Sequence, residues 1–273
     1  MNINLFLSRI VVACTVFVSA GVLAQSGRVE VQWLGQSTFR ITSPGGKVIL
    51  TDPWLRPNPI TPVQYKNLEA LGKIDVLLLT HAHPDHVADA PEIARINKIP
   101  LYGPGDLNQT LTTLGVLPPQ QLPRFAKGGR ITPVPGINVT AVHADHSSIY
   151  VWRNPATGKD ESHPGGEPVG YIIELENGFR IWHTGDTTIF TDMKWISEYY
   201  KPDLVLLPIG GYTAMDPKDA AYALRELIKP KYAIPMHYGA NPLAYGTPQD
   251  FVEAMRGVAT KVTVLKPGEK AEF

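Results

Sequence analysis

The chain has 273 residues, 44% apolar and 18% charged, with 25 basic and 25 acidic side chains that cancel. That length leaves room for a substantial core, and the lack of a basic excess removes the usual electrostatic footprint of a nucleic-acid binder. Disorder, collagen and coiled coil are excluded by the apolar fraction and by the absence of Gly-X-Y or heptad repeats.

Residues 1–24, MNINLFLSRIVVACTVFVSAGVLA, read as a leader. Arg9 precedes an apolar run from Ile10 to Ala20, and Val22-Leu23-Ala24 has the small-x-small form of a signal-peptidase site. The run is about 11–15 residues, short of the ~20 that span a bilayer. The expectation is a periplasmic or secreted protein without a stable membrane anchor, its mature chain a single domain over residues 25–273. Cys14, the only cysteine, leaves with the leader, so no disulfide, thiolate nucleophile or thiolate ligand remains. Losing Arg9 leaves 24 basic against 25 acidic side chains, a net charge of −1.

Short alternating runs open the mature chain at Arg28–Leu34, Thr38–Thr42 and Lys47–Thr51, punctuated by Gly35-Gln36-Ser37 and Ser43-Pro44-Gly45-Gly46. They predict an antiparallel meander. Asp75–Thr80 (DVLLLT) is continuously apolar, as in a strand covered on both faces. Weaker helix signals lie at Pro91–Asn97 and Asp106–Leu114, and further strands are expected at Ile137–His143, Val169–Leu175 and Phe179–His183. Ser148–Pro168, rich in Gly, Pro and polar residues, reads as a long surface loop. A helix at Asp192–Tyr200 follows, then strands at Asp203–Pro208 (DLVLLP), Tyr232–Pro235 and Lys261–Leu265. Asp216-Pro217-Lys218-Asp219 and Thr247-Pro248-Gln249-Asp250 each place an N-cap, an N1 proline and an acid before a helix, over Ala220–Ile228 and Phe251–Arg256. The likeness of DVLLLT to DLVLLP hints at two similar β/α halves.

The densest chemistry is Thr80-His81-Ala82-His83-Pro84-Asp85-His86, directly after a buried strand. Any one of these histidines alone would read as an ordinary core or surface residue. Three histidines and an aspartate on one Pro-containing turn read as a site for zinc or a similar divalent ion. His146, Asp186 and His237 follow later strands in the same way. A carboxylate such as Asp186 can bridge two cations, and two cations about 3.5–4 Å apart can hold a hydroxide between them.

HAHPDH is the HxHxDH pattern of the metallo-β-lactamase superfamily. The stretches ADHSS, HTGDTTIFTDM, LPIGGYTAMDPKDA and PMHYGANPLAYGTPQDF sharpen the likeness over most of Val29 to Pro267. They resemble bacterial metal-dependent hydrolases similar to ascorbate-phosphate lactonase and to N-acylphosphatidylethanolamine phospholipase D. The resemblance implies an α/β fold, a four-layer αββα sandwich with metals at one edge. It also implies first-metal ligands His81, His83 and His146, second-metal ligands Asp85, His86 and His237, and Asp186 shared. The cofactors it implies are two divalent ions, zinc foremost, with manganese or iron as alternatives. Asp85 and Asp186 are then the residues expected to orient the nucleophile or pass a proton. The substrate expected is a small ester, lactone, amide or phosphodiester.

Asp52, ending VILTD, is expected to receive a ligand histidine's N–H without touching metal. His143 and His183 are set aside as strand-end residues, the latter as buried and hydrogen-bonded, and His163 as solvated in its loop. Ser147 and Tyr212 are expected near the pocket only as common turn hydroxyls. No GxSxG elbow or GxxxxGK[ST] loop is present. Two rivals differ in class. A mononuclear iron redox enzyme on the same fold would not need His86, and a non-catalytic metal binder would not need every second ligand. The sequence gives no sign of oligomeric state.

Overall fold

Side-chain alternation along two sets of strands decides the architecture. In the computed structural model, which describes residues 27–273, β1 (Glu30–Gly35), β2 (Thr38–Thr42), β3 (Val48–Thr51), β4 (Val76–Leu78), β5 (Leu101–Pro104) and β6 (Arg124–Phe125) lie side by side in that order. A last strand, β16 (Lys270–Glu272), pairs outside β1. The first three form the expected antiparallel meander, and β3, β4 and β5 pair in parallel. The second sheet runs β7 (Arg130–Val134), β8 (Ile137–His143), β11 (Val169–Glu174), β12 (Arg180–His183), β13 (Leu204–Pro208), β14 (Tyr232–Met236) and β15 (Lys261–Val262). The remaining pair, β9 (Ile149–Arg153) and β10 (Asp160–Pro164), is a separate hairpin. The expected leader lies outside the described residues, and among those residues no helix is long and apolar enough to cross a membrane.

Odd and even positions of each strand serve different layers. Val76 and Leu78 of β4 join Trp33, Phe39, Ile41, Ile173, Leu204 and Leu206 in the core between the sheets. Leu77 and Leu79 point the other way, onto α2 (Ala90–Asn97) and α3 (Gly105–Thr113). In the second sheet Val205 and Leu207 pack with α4 (Met193–Tyr200), α5 (Pro217–Tyr222) and α6 (Pro248–Ala254). Helix, sheet, sheet, helix is the αββα sandwich. The continuous run DVLLLT follows from having a layer on each face of β4.

Both signalled helix starts form as their residues dictate. Asp216 accepts from the N–H groups of Lys218 and Asp219, and Thr247 from that of Asp250. The helix begun at Pro217 passes into a wider π turn over Ala223–Ile228. Two expectations are overturned. Ser148–Pro168 is not a plain loop, because Tyr150 is buried among the first sheet's helix-side residues and draws β9 into the hairpin. His163 is likewise not solvated; it sits on β10, half-buried against the Trp152 ring. Strands β5, β6, β7 and β16 are short or polar and carried no clear alternation in the sequence.

Candidate metal centre

All seven candidate ligands come together at one edge of the sandwich, where β4, β8, β12 and β14 end. His81 and His83 lie on the turn after β4, and Asp85 and His86 on a single helical turn, α1 (Pro84–Val87), begun by Pro84. His146 follows β8, Asp186 follows β12 and His237 follows β14. Ligand-capable atoms of His81, His83 and His146 lie within 4.8 Å of one another. The same holds for Asp85, His86 and His237, and for His81, His86 and Asp186. Asp186 Oδ2 is 2.8 Å from His237 Nε2, 3.3 Å from His86 Nε2 and 3.9 Å from His146 Nε2. One carboxylate oxygen thus faces both groups.

Asp52 braces the centre from behind. It is fully buried, its φ is 41°, and its carboxylate accepts from the Thr80 N–H and hydroxyl, both at 2.7 Å. Since the Thr80 hydroxyl donates to Asp52, its oxygen is left to accept from His81 Nδ1 at 3.1 Å. That fixes the His81 tautomer with its Nε2 lone pair facing the centre. Asp52 Oδ2 also lies 3.1 Å from His86 Nδ1, although not aligned as a hydrogen bond.

The histidines set aside in the sequence are elsewhere. His183 donates from Nε2 to the Ser37 carbonyl at 3.0 Å and accepts from the Gly185 N–H at 3.1 Å. His143 is exposed and 3.3 Å from Lys127 Nζ. Ser147 lines the cleft over the centre, whereas Tyr212, 62% exposed, does not, its neighbour Thr213 doing so instead.

Burial and charge divide the seven ligand candidates by electrostatics. Burial holds His81, His83 and His146 below the ordinary imidazole value, and the neighbouring histidines push the same way. Burial opposes charge at His86 and His237 too, but Asp186 overrides it in both. His86 rises well above its ordinary value, helped by Asp52 and Asp85, and His237 reaches about 9. Despite their own burial, Asp85 and Asp186 stay below the usual carboxylate range beside these two histidines. Protons on His86 and His237 therefore balance carboxylates where cations would.

The residues fit metal on grounds of their own. His86 Nε2, which faces Asp186, is buried with no aligned hydrogen-bond partner, and a buried nitrogen left so is costly unless it has another use. Imidazole and carboxylate are the donors that zinc and similar ions take.

Comparison with known proteins decides the family. The profile of the Beta-lactamase superfamily domain matches residues 47–238. A UPF0173 metal-dependent hydrolase of Polaromonas sp. is 67% identical over 248 residues, 91% of each chain. Another, from Polynucleobacter asymbioticus, is 59% identical over 256 residues, covering 93% of this chain and 90% of its own. This chain belongs to the UPF0173 metal-dependent hydrolases of the β-lactamase superfamily. Among solved structures it is similar to Igni18, a metallo hydrolase from Ignicoccus hospitalis, with 31% identity and a TM-score of 0.75. That match covers 90% of this chain and 98% of Igni18.

Sequence reasoning missed four contributors to the hydrolase's site. Gln36 Nε2 lies 2.8 Å from Asp85 Oδ2, and Ser37 Oγ donates to Asp186 Oδ1 at 3.3 Å. Thr80 and Trp54 are the others; Trp54 lines the cleft, its N–H held by Thr38 Oγ1 at 3.1 Å. The only available signal was a turn, Gly35-Gln36-Ser37, next to a strand end. The cleft has a volume of about 670 Å³, and Pro84, Ala240 and Pro242 line it with Trp54.

Proposed function

We propose that this hydrolase is exported and uses two divalent cations, zinc foremost with manganese or iron as alternatives, to cleave a small uncharged ester, lactone or amide. His81, His83 and His146 would hold one cation, Asp85, His86 and His237 the other, with Asp186 between them. The observation that carries this reading is Asp186 Oδ2, placed within 3.9 Å of histidine nitrogens from both sets. A single iron would leave the Asp85, His86 and His237 group without a use. Export rests on the leader pattern of residues 1–24.

Two such cations would supply a hydroxide near neutral pH and would polarise the oxygen of the bond to be cleaved. Asp186 is held in orientation by Ser37, and Asp85 by Gln36. Asp85 is about 30% exposed at its side chain while Asp186 is buried. That makes Asp85 the carboxylate able to face substrate and carry a proton to a leaving group. Trp54, Pro84 and Pro242 offer an apolar wall, and among the described residues no Lys or Arg lines the cleft. A phosphodiester would rely for charge on the cations alone, so the apolar wall is what supports an acyl substrate.

The test is elemental analysis of the exported protein, its N-terminal sequence, and turnover of chromogenic esters, lactones, amides and phosphodiesters. Two metal equivalents, a start at Gln25 and acyl turnover are expected. Less than half an equivalent after growth with supplied metal overturns the metal reading. Turnover of phosphodiesters alone overturns the substrate reading.

A further inference from the structure

Gln36 has a conformation and contacts that turn packing does not explain. It is 1% exposed, and its φ of 51° is left-handed, a region costly for any residue with a Cβ. Its carbonyl accepts from Trp33 Nε1 at 2.9 Å and from the His237 N–H at 3.0 Å. The turn between β1 and β2 is thereby clamped to the residue that follows β14, and the two sheets meet at this point. His237 is itself left-handed, with a φ of 59°. Two strained residues from opposite sheets are held against each other beside the centre, as happens where surrounding structure over-determines a site.

The side chain continues the same contact. Gln36 Nε2 is 2.8 Å from Asp85 Oδ2 and 2.8 Å from His237 Nε2. Asp85 Oδ2 is the oxygen that faces the histidines, 3.4 Å from His237 Nε2 and 3.9 Å from His86 Nε2. Gln36 Oε1 is buried with no hydrogen-bond partner. Asp85 Oδ2 can only accept, so it fixes the amide with nitrogen inward whenever His237 Nε2, 2.8 Å away, carries no proton, as it must to bind a cation. A leucine would fill the same space with no orphaned carbonyl. The polar side chain is kept for its N–H.

We propose that Gln36 is a positioning residue of the second cation site: its amide occupies one lone pair of Asp85 Oδ2 and so presents the other to the cation shared with His86 and His237. Carboxylates that bind metal are commonly held this way by a hydrogen bond from behind, and losing it costs about 10–100-fold in metal affinity. The proposal rests on the two-cation reading given above.

Metal-stripped protein titrated with zinc against a chromophoric chelator tests it, using wild type, Gln36→Leu and Gln36→Glu. In Gln36→Leu the weaker zinc equivalent should lose about 10–100-fold in affinity, while the tighter one is unchanged. Gln36→Glu keeps the length of the arm but has no N–H and sets a second carboxylate against Asp85 Oδ2, so it should weaken the same equivalent and leave the tighter one unchanged. A merely structural role would weaken both equivalents together, since the same turn carries Ser37, which holds the Asp186 shared by both cations. Wild-type affinity for both equivalents in Gln36→Leu would overturn the proposal, as would equal weakening of both equivalents in both variants. A wild type that takes up only one equivalent overturns the two-cation reading, and the proposal with it.

Discussion

Asp186 and Asp52 are both buried carboxylates beside histidine nitrogens, yet their surroundings give them different work. Asp186 Oδ2 faces histidines of both groups, whereas Asp52 spends its oxygens on the Thr80 N–H and hydroxyl. On the two-cation reading, Asp186→Asn should remove the charge between the cations and release one metal equivalent. Asp52→Asn should keep both equivalents and lower metal affinity or rate by about 10–100-fold. Mass spectrometry of folded protein distinguishes them; equal metal content in the two variants would mean that the bridge is not Asp186. At this scale the sequence was readable where chemistry is dense. Four side chains on one turn, HAHPDH, have no ordinary structural explanation, and His146, Asp186 and His237 stand at matching strand ends. Gln36, Ser37, Thr80 and Trp54 were not readable. A glutamine, serine or threonine beside a glycine is what any turn carries, and only the sheet-to-sheet contact reveals its partner.

Elements set how tightly those residues are held, and the hairpin β9–β10 is the clearest case. Ser148 Oγ accepts from the Ala82 N–H at 3.2 Å and donates to the Gly165 carbonyl at 3.0 Å, which ties both ends of the hairpin to the turn bearing His81 and His83. Gly165 is required there: a Cβ would stand 2.4 Å from Ser148 Oγ and 2.6 Å from the Ala82 side chain. Gly165→Ala should therefore cost about 1–3 kcal/mol of stability by overpacking and weaken metal binding at the same time. Gly158→Ala, at the hairpin tip with a φ of +64° and open space around it, should cost about 1–2 kcal/mol and leave metal binding alone. A metal titration in which both variants match wild type would show that the hairpin does not brace the site. The hairpin was hidden in the sequence because polar residues and glycines surround its one buried anchor, Tyr150. The central strands were legible because layers on both faces leave no room for polar side chains. The echo of DVLLLT in DLVLLP has a structural counterpart. Asp75 exchanges backbone and carboxylate bonds with Val48 at the start of β3, and Asp203 does the same with Arg180 at the start of β12.

For the whole molecule, a cation held at this centre would compete with protons for the same nitrogens, and this fixes how stability depends on pH. In metal-free protein Asp186 lifts His237 from 6.5 to about 9 against the effect of burial, and lifts His86 in the same direction. A histidine with a raised folded value stabilises fully below its unfolded value, and that contribution is lost as pH rises through the folded one. Metal-free protein should therefore lose stability between about pH 6.5 and 9. His81, His83 and His146 act oppositely: burial lowers them, so the folded state resists protons that the unfolded chain accepts, and stability falls as pH drops below 6.5. Stripped protein should be most stable near the crossing of these two trends. Loading reverses the basic limb, because His86 and His237 must give up their protons to bind a cation. Metal uptake should release protons below pH 9 and tighten as pH rises toward it. Stripping should not unfold the chain, since the three apolar layers are complete without the site. Thermal melts at pH 6.5 and 9, with chelator and with zinc, check all of this together. The stripped midpoint should fall over that interval while the loaded one holds or rises, so the gap between them widens. A constant gap would show that His237 and His86 keep their protons when metal binds, and would remove both from the ligand set.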